Sequence, residues 1–283
     1  MNNELFQYEI LTGDELNTKA LININILCNV LNEFYDVSAC AFAKNGIIFS
    51  AALGKNTNDA YLKAFDCDPL STFSASVGFS SIVDTETAKH LKSIAIPMII
   101  APDFEDTAID ILTQDCETIL IKLTNPLKEY KTFDTETIYN TPIGEIHQEG
   151  KNKIELDKNT FKIVTKTKPT TEQIEDAIFT WKISKYLIPL NVTVAKDFKT
   201  LSIFQAQSNE QTAVEHALNF ACDSSKNAVL HISDENLNDG IIHAAAQARI
   251  GLIIYSGGEF NDIKINNLAD KYEIAILTTG IKI

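Results

Sequence analysis

Apolar positions between residues 170 and 218 change their period twice. Ile174, Ile178, Trp181, Ile183 and Leu187 recur at helical spacing. Thr170 with Gln173 has the pattern of a capping box, and Pro189 stops the run, so a helix is predicted up to that proline. The stretches NVTVAKD and TLSIFQ that follow are short and β-branched around a polar turn, which predicts a hairpin. Ser208 and Gln211 then repeat the capping pattern, predicting a second helix over Thr212–Phe220.

The same order is written earlier in the chain. A helix predicted over Thr18–Phe34, capped by Asn17, precedes the strand SACAFAK, a turn at Asn45 and Gly46, the strand IIFSAAL and a helix near Thr57–Phe65. Lys44 in Ala43-Lys44-Asn45 stands to Lys196 in Ala195-Lys196-Asp197 at an offset of about 150 residues, which exceeds solenoid periods and points to a domain duplication. Further on, MIIAPDFEDTAIDILTQDCETILI matches LIIYSGGEFNDIKINNLADKYEIAIL, aligning Phe104 with Phe260, Asp106 with Asp262 and Glu117 with Glu273.

Strand and helix patterns alternate after each hairpin. Ser76–Ser80, Ile96–Ala101 and Thr118–Lys122 read as strands, with helices over Asp84–Ser93 and Glu105–Gln114 between them and a break at Asp68-Pro69. In the second half, strands at Ala228–Ile232, Leu252–Tyr255 and Glu273–Thr278 alternate with helices at Asp239–Arg249 and Asn261–Tyr272. An antiparallel hairpin continued by parallel strands, with helices on both faces, makes a three-layer α/β/α unit with a mixed sheet. The fold class is therefore α/β with two such units in tandem: residues 1–123, a connector over 124–168 rich in Lys and Glu, and residues 169–283.

Length and composition narrow the function. The 283 residues and 45% hydrophobic content suit folded domains with real cores. A net charge of -14 argues against nucleic acid or an anionic membrane as partner. Arg249 is the single arginine, so anion recognition falls to lysines, backbone amides and helix ends. Cys28, Cys40, Cys67, Cys116 and Cys222 show no paired spacing, as expected of a reduced, cytoplasmic protein. The sequence has no run of the roughly 20 apolar residues that cross a bilayer, and residues Met1–Ile10 lack a signal-peptide core. His90, His216 and His243 fall on predicted helices, His147 in the connector and His231 in a strand, none with a ligand-spaced partner. The His/Cys-Glu and Pro-Cys-x-x-Cys pattern of a zinc deaminase, Walker loops, nucleophile elbows and dinucleotide fingerprints are missing, so no metal site is expected.

The run DAIFTWKISKYLIPLNVTVAKDFKTLSI, with DELN from Asp14, FDCDPLSTF, IIAPDFEDTAIDIL, IVTKTKPTTEQ and Gly257-Gly258, occurs in one order along nearly the whole chain. In these segments the chain resembles the AICAR transformylase part of the bifunctional purine biosynthesis enzyme. The resemblance implies tandem cytidine-deaminase-like units, a place in purine biosynthesis and one-carbon metabolism, and formyl transfer from 10-formyltetrahydrofolate as cosubstrate, with no cofactor held permanently. It also implies a homodimer, or a heteromer with an active homologue, and a purine nucleotide or folate as ligand. The cyclohydrolase portion has no counterpart in these residues, so a divergent, stand-alone homologue is expected.

Chemistry-bearing positions depart from the family. Where it has Lys-His, this chain has Lys44-Asn45. In the family the histidine handles the proton as the substrate amine attacks the formyl carbon. Asn45 cannot do so, because an amide has no protonation change near neutral pH, although Lys44 could still offer charge to a developing oxyanion. The family's Ser-Asn falls on Pro189-Leu190, leaving Asn191 one place late. Its glycine-rich loop becomes Phe204 to Glu210, in which Gln207 is what survives. Phe73 matches an aromatic that stacks on substrate, though a lone aromatic is more often core. Lys44 and Lys196 end duplicated strands, where a structural role stands beside ligand contact. Gly257 and Gly258 could receive an anion or form a simple turn. The leading expectation is a transformylase-like protein with catalysis lost or strongly reduced. An active formyltransferase using Lys44 and a ligand-free oligomeric interaction protein are the alternatives.

Overall fold

The protein is described by a computed structural model covering residues 5–13, 15–94, 96–114, 118–132, 136–149, 151, 154–257 and 263–283. Asp14, Cys116, Glu117, Gly258, Phe260 and Asp262 lie outside the described residues. The chain divides into two compact units, Met1–Glu155 and Leu156–Ile283. The segment expected as a connector, 124–168, is shared between the two.

In the first unit, β1 (Tyr8–Thr12) leads to α1 (Thr18–Leu31), the hairpin β2 (Ser38–Lys44) and β3 (Ile47–Gly54), then α2 (Thr57–Cys67) and the one-turn α3 (Pro69–Thr72). Next come β4 (Ser76–Phe79), α4 (Thr85–Lys92), β5 (Met98–Ala101), α5 (Asp106–Thr113) and β6 (Ile119–Leu123), followed by a separate hairpin of β7 (Glu136–Thr141) and β8 (Gly144–Glu149). The sheet order is β1-β6-β5-β4-β2-β3. Strands β4, β5 and β6 run parallel, while the β2–β3, β2–β4 and β1–β6 pairs are antiparallel.

The second unit repeats this plan. β9 (Lys162–Ile163) precedes α6 (Thr171–Ser184), the hairpin β10 (Val192–Lys196) and β11 (Lys199–Phe204), and α7 (Glu210–Ala221). The alternation is β12 (Val229–Ile232), α8 (Asp239–Gln247), β13 (Leu252–Tyr255), α9 (Ile263–Lys271) and β14 (Ala275–Thr278). Its strands follow the order β11-β10-β12-β13-β14-β9. Parallel pairs again fill the middle, with an antiparallel strand at the edge. The hairpin register shifts between Phe42 and Ala43 in one unit and between Val194 and Ala195 in the other. The bulge is thus copied with the fold.

Each sheet is buried on two faces. In the first unit Phe42, Tyr61, Phe79, Leu91, Ile99 and Leu112 form a core under α2, α4 and α5. On the opposite face Leu27 and Leu31 of α1 lie so close to Gly78 that a Cβ there would meet Leu31 at 2.7 Å. In the second unit Val194, Val214, Leu230, Ile242, Ile253 and Ile276 form the core under α7, α8 and α9, and α6 covers the other face. Burying about 1.5–3 kcal/mol of transfer free energy per large side chain is what drives this layering.

Helix starts follow capping chemistry. Asn17 accepts from the Ala20 amide, and Thr170 and Gln173 make the expected capping box. Three expectations are corrected. α7 is capped by Asn209, whose side chain accepts from the Thr212 amide, and not by Ser208. The first helix stops at Leu31 and tightens into a 3-10 turn over Asn32–Phe34. Asp68-Pro69 begins a helical turn as well as ending α2, because Asp68 accepts from the Ser71 amide and the proline suits the first turn. Among the described residues no helix is long and apolar enough to cross a membrane. Among the described residues Cys28, Cys40, Cys67 and Cys222 form no disulfide; the first three are buried and Cys222 is exposed.

Candidate functional site

Lys44 and Asn45 close the first hairpin. Asn45 and Gly46 both have positive φ, 55° and 76°, the twist that a two-residue hairpin turn needs. A Cβ on Gly46 would stand 2.8 Å from Ile22, so glycine is required here for space as well as for backbone freedom. The turn is held from α1: the buried Asn23 accepts from the Gly46 amide at 2.8 Å and donates to Ser76 Oγ at 2.9 Å.

From the end of β2, Lys44 Nζ donates to the Phe73 carbonyl at 2.7 Å and lies 3.5 Å from the Ser71 carbonyl. Its ammonium therefore stabilises the turn that enters β4. Phe73 is 62% exposed, contrary to the core position usual for a lone aromatic. Lys44 thus ties the hairpin turn at Asn45 to the Phe73 backbone, at one end of the strands of the first unit.

Lys196 does in the second unit what Lys44 does in the first. Its Nζ donates to the Lys226 carbonyl, at 3.0 Å, in the turn that enters β12. The second hairpin turn, Asp197-Phe198, also has two positive φ values. Asp176 of α6 holds it by accepting from the Asp197 and Phe198 amides at 2.9 and 2.8 Å. Burial pushes the Asp176 carboxyl up, against the pull of those two amides. Sequence reasoning passed over both Asn23 and Asp176. Their signal was a polar residue on the buried face of each helix that precedes a hairpin.

Asn191 and Gln207 meet at the other end of β10. The Gln207 amide donates to the Leu190 carbonyl at 3.1 Å, and the Ala206 amide to Ile188 at 3.2 Å. Asn191 is 1% exposed. Its Nδ2 donates to the Ser184 carbonyl at 3.4 Å, its backbone N–H donates to Ser233 Oγ at 2.8 Å, and its Oδ1 has no partner. Gly257 follows β13 at the same end, the carboxyl end of the parallel strands, where open α/β sheets place ligands. Its φ of 91° and a Cβ clearance of 3.1 Å to Thr278 require glycine for the turn. Lys196 sits at the opposite end, so the structure separates it from Asn191, Gln207 and Gly257.

Among the described residues no group of three or more His, Cys, Asp or Glu side chains is arranged to hold a metal ion. His147 lies between Glu136 at 3.0 Å and Glu145 at 3.6 Å on the exposed β7–β8 hairpin. His231 on β12 is buried, which lowers its imidazole to about 3 and keeps it neutral.

The comparisons agree with the residue matches. Over 97% of its length the chain is 33% identical to the bifunctional purine biosynthesis protein PurH of Caldicellulosiruptor saccharolyticus, covering 52% of that protein. It is 33% identical to PurH of a Thermoanaerobacter strain and 32% identical to PurH of Clostridium botulinum strain Kyoto, covering 53% of each. The chain spans about half the length of the curated relatives it matches. The family model described as the AICARFT/IMPCHase bienzyme matches residues 1–219. With most of its residues matched by that model and collinear with PurH along nearly its whole length, the chain belongs to the AICARFT/IMPCHase bienzyme family.

Proposed function

We propose that this chain is an AICAR-transformylase-like protein built from two cytidine-deaminase-like units, in which formyl transfer is lost or strongly reduced. The observation that carries the reading is the turn at Lys44-Asn45. Proton transfer needs a group whose pKa lies near the working pH. Asn45 has none, and Lys44 beside it already donates to the Phe73 carbonyl. Phe73 remains exposed as a stacking surface, and Gln207 and Gly257 lie at the carboxyl ends of the second unit's strands, whereas the Asn191 side chain is buried and bonded inward to the Ser184 carbonyl. What persists is thus suited to holding a purine nucleotide or a folate without turning it over. In this reading the protein works in the cytoplasm as a homodimer or beside an active homologue, holds no metal or resident cofactor, and does not bind nucleic acid or membranes.

The test has two arms. Melting temperature is measured with AICAR and with a folate, and formyl transfer is assayed with 10-formyltetrahydrofolate. A ligand-dependent rise without turnover is expected. Turnover comparable to that of an ordinary transformylase would overturn the reading. It would favour an active enzyme that uses Lys44, for which Lys44→Ala should then abolish transfer. No shift with either ligand would favour an interaction protein that binds neither.

A further inference from the structure

The two units carry the same helix-on-hairpin seam with opposite chemistry. In the first, the cross-strand pair under α1 is Ala41 and Gly78, and Leu27 and Leu31 fill the space above it. In the second, the matching pair under α6 is Thr193 and His231. Ser184 of α6 shares a hydrogen bond of 3.1 Å with Thr193, and Asn191 reaches the Ser184 carbonyl. Trp181 stands one helical turn before Ser184 on the same face of α6.

These side chains are sealed. Asn191 and His231 are 1% exposed, Thr193 0% and Trp181 2%. Yet Trp181 Nε1, Asn191 Oδ1 and His231 Nδ1 all lack a hydrogen-bond partner. Each is linked to the Ser184–Thr193 bond: His231 pairs with Thr193 across the strands, Asn191 bonds to the Ser184 carbonyl, and Trp181 lies one turn before Ser184 on α6. The first unit shows that this fold closes the seam with alanine, glycine and leucine, so the architecture does not demand polar groups there.

We propose that the α6 seam of the second unit is a buried water site, with ordered water held by Trp181 Nε1, Asn191 Oδ1 and His231 Nδ1. The set suits water: the indole can only donate, the amide oxygen can only accept, and a neutral imidazole nitrogen can accept. A buried water makes about three hydrogen bonds to groups that would otherwise have none. The site also accounts for the inward amide of Asn191, because its oxygen is used inside the unit. This inference stands independently of the proposed function.

Trp181 is the chain's one tryptophan, so a ¹⁵N-labelled sample gives a single indole signal. A direct rotating-frame Overhauser cross-peak between water and the indole Nε1–H is expected in the native protein. The peak should be lost or weakened in Asn191→Leu or His231→Leu. An indole N–H with no water contact, or a cross-peak unchanged in both variants, would overturn the proposal. If the variants do not fold, a crystal structure of the native protein decides. Water density within hydrogen-bond reach of at least two of the three atoms supports the site, and side chains turned to pair with one another sink it.

Discussion

His231 shows how far a single residue can be misjudged from its neighbours in sequence. It reads as a strand residue without a ligand-spaced partner, and both statements are true of it. Its chemistry nevertheless comes from α6, which is distant in sequence and seals the imidazole. Burial lowers the ring from 6.5 to about 3. Below pH 6.5 the unfolded chain takes up a proton that the folded chain refuses, so the contribution is full above 6.5 and is lost as pH falls towards about 3. The slope is at most about 1.4 kcal/mol per pH unit. Asp176, whose carboxyl is pushed up by burial, acts in the opposite sense at the acid end, where the folded state binds the extra proton. Comparison with a variant therefore isolates the histidine. Urea midpoints measured from neutral to acidic pH should fall less steeply in His231→Gln than in the native protein. Equal slopes would mean that the imidazole titrates at its ordinary pH in the folded chain. Lys44 and Lys196 carry a related lesson, since the sequence left their role open and the geometry gives both the same one, a carbonyl at the entry of the next strand.

At the scale of elements the sequence was most informative, because periodicity and caps are local. The hairpin turns, α4, β13 and the capping box of α6 fall where their residues predict. The start of α7 went wrong for a physical reason: Ser208 and Asn209 are both good caps, and which one closes the helix depends on how the loop leaves β11. The Gln207 amide is tied to Leu190, and this places Asn209, with φ of -150°, at the cap. Asn209→Ala should lower stability by about 1 kcal/mol, the usual worth of an N-cap, while Ser208→Ala should leave it nearly unchanged. Thermal or urea denaturation of the pair checks this, and the reverse ranking would restore Ser208 as the cap.

On the scale of the whole molecule, the β7–β8 hairpin is the part that the layers do not absorb. Its strands pair only with each other among the described residues, and Ile143 at its turn is 92% exposed. A two-stranded ribbon is marginal by itself and exposed tips are nicked first. Brief digestion with a protease of broad specificity should therefore cut first near Thr141–Gly144, read by mass spectrometry. First cuts inside β4 or β12 would instead show that a sheet opens more readily than the ribbon. The duplication was legible because each copy kept its helix, hairpin and alternating strands. Phe73 was harder to place, since its exposure depends on where the short α3 turns the chain. The sequence by itself determined the α/β class, the repeated order of elements, the family and the amide side chain of Asn45 at the first hairpin turn, all of which follow from local periodicity, turn chemistry and side-chain identity. Only the tertiary structure decided that Lys196 lies apart from Asn191, that Asp176 holds a turn, and that polar atoms of Trp181, Asn191 and His231 are buried without a partner. Those facts depend on which face of a helix meets which strand, and burial sets that pairing between residues far apart in the chain.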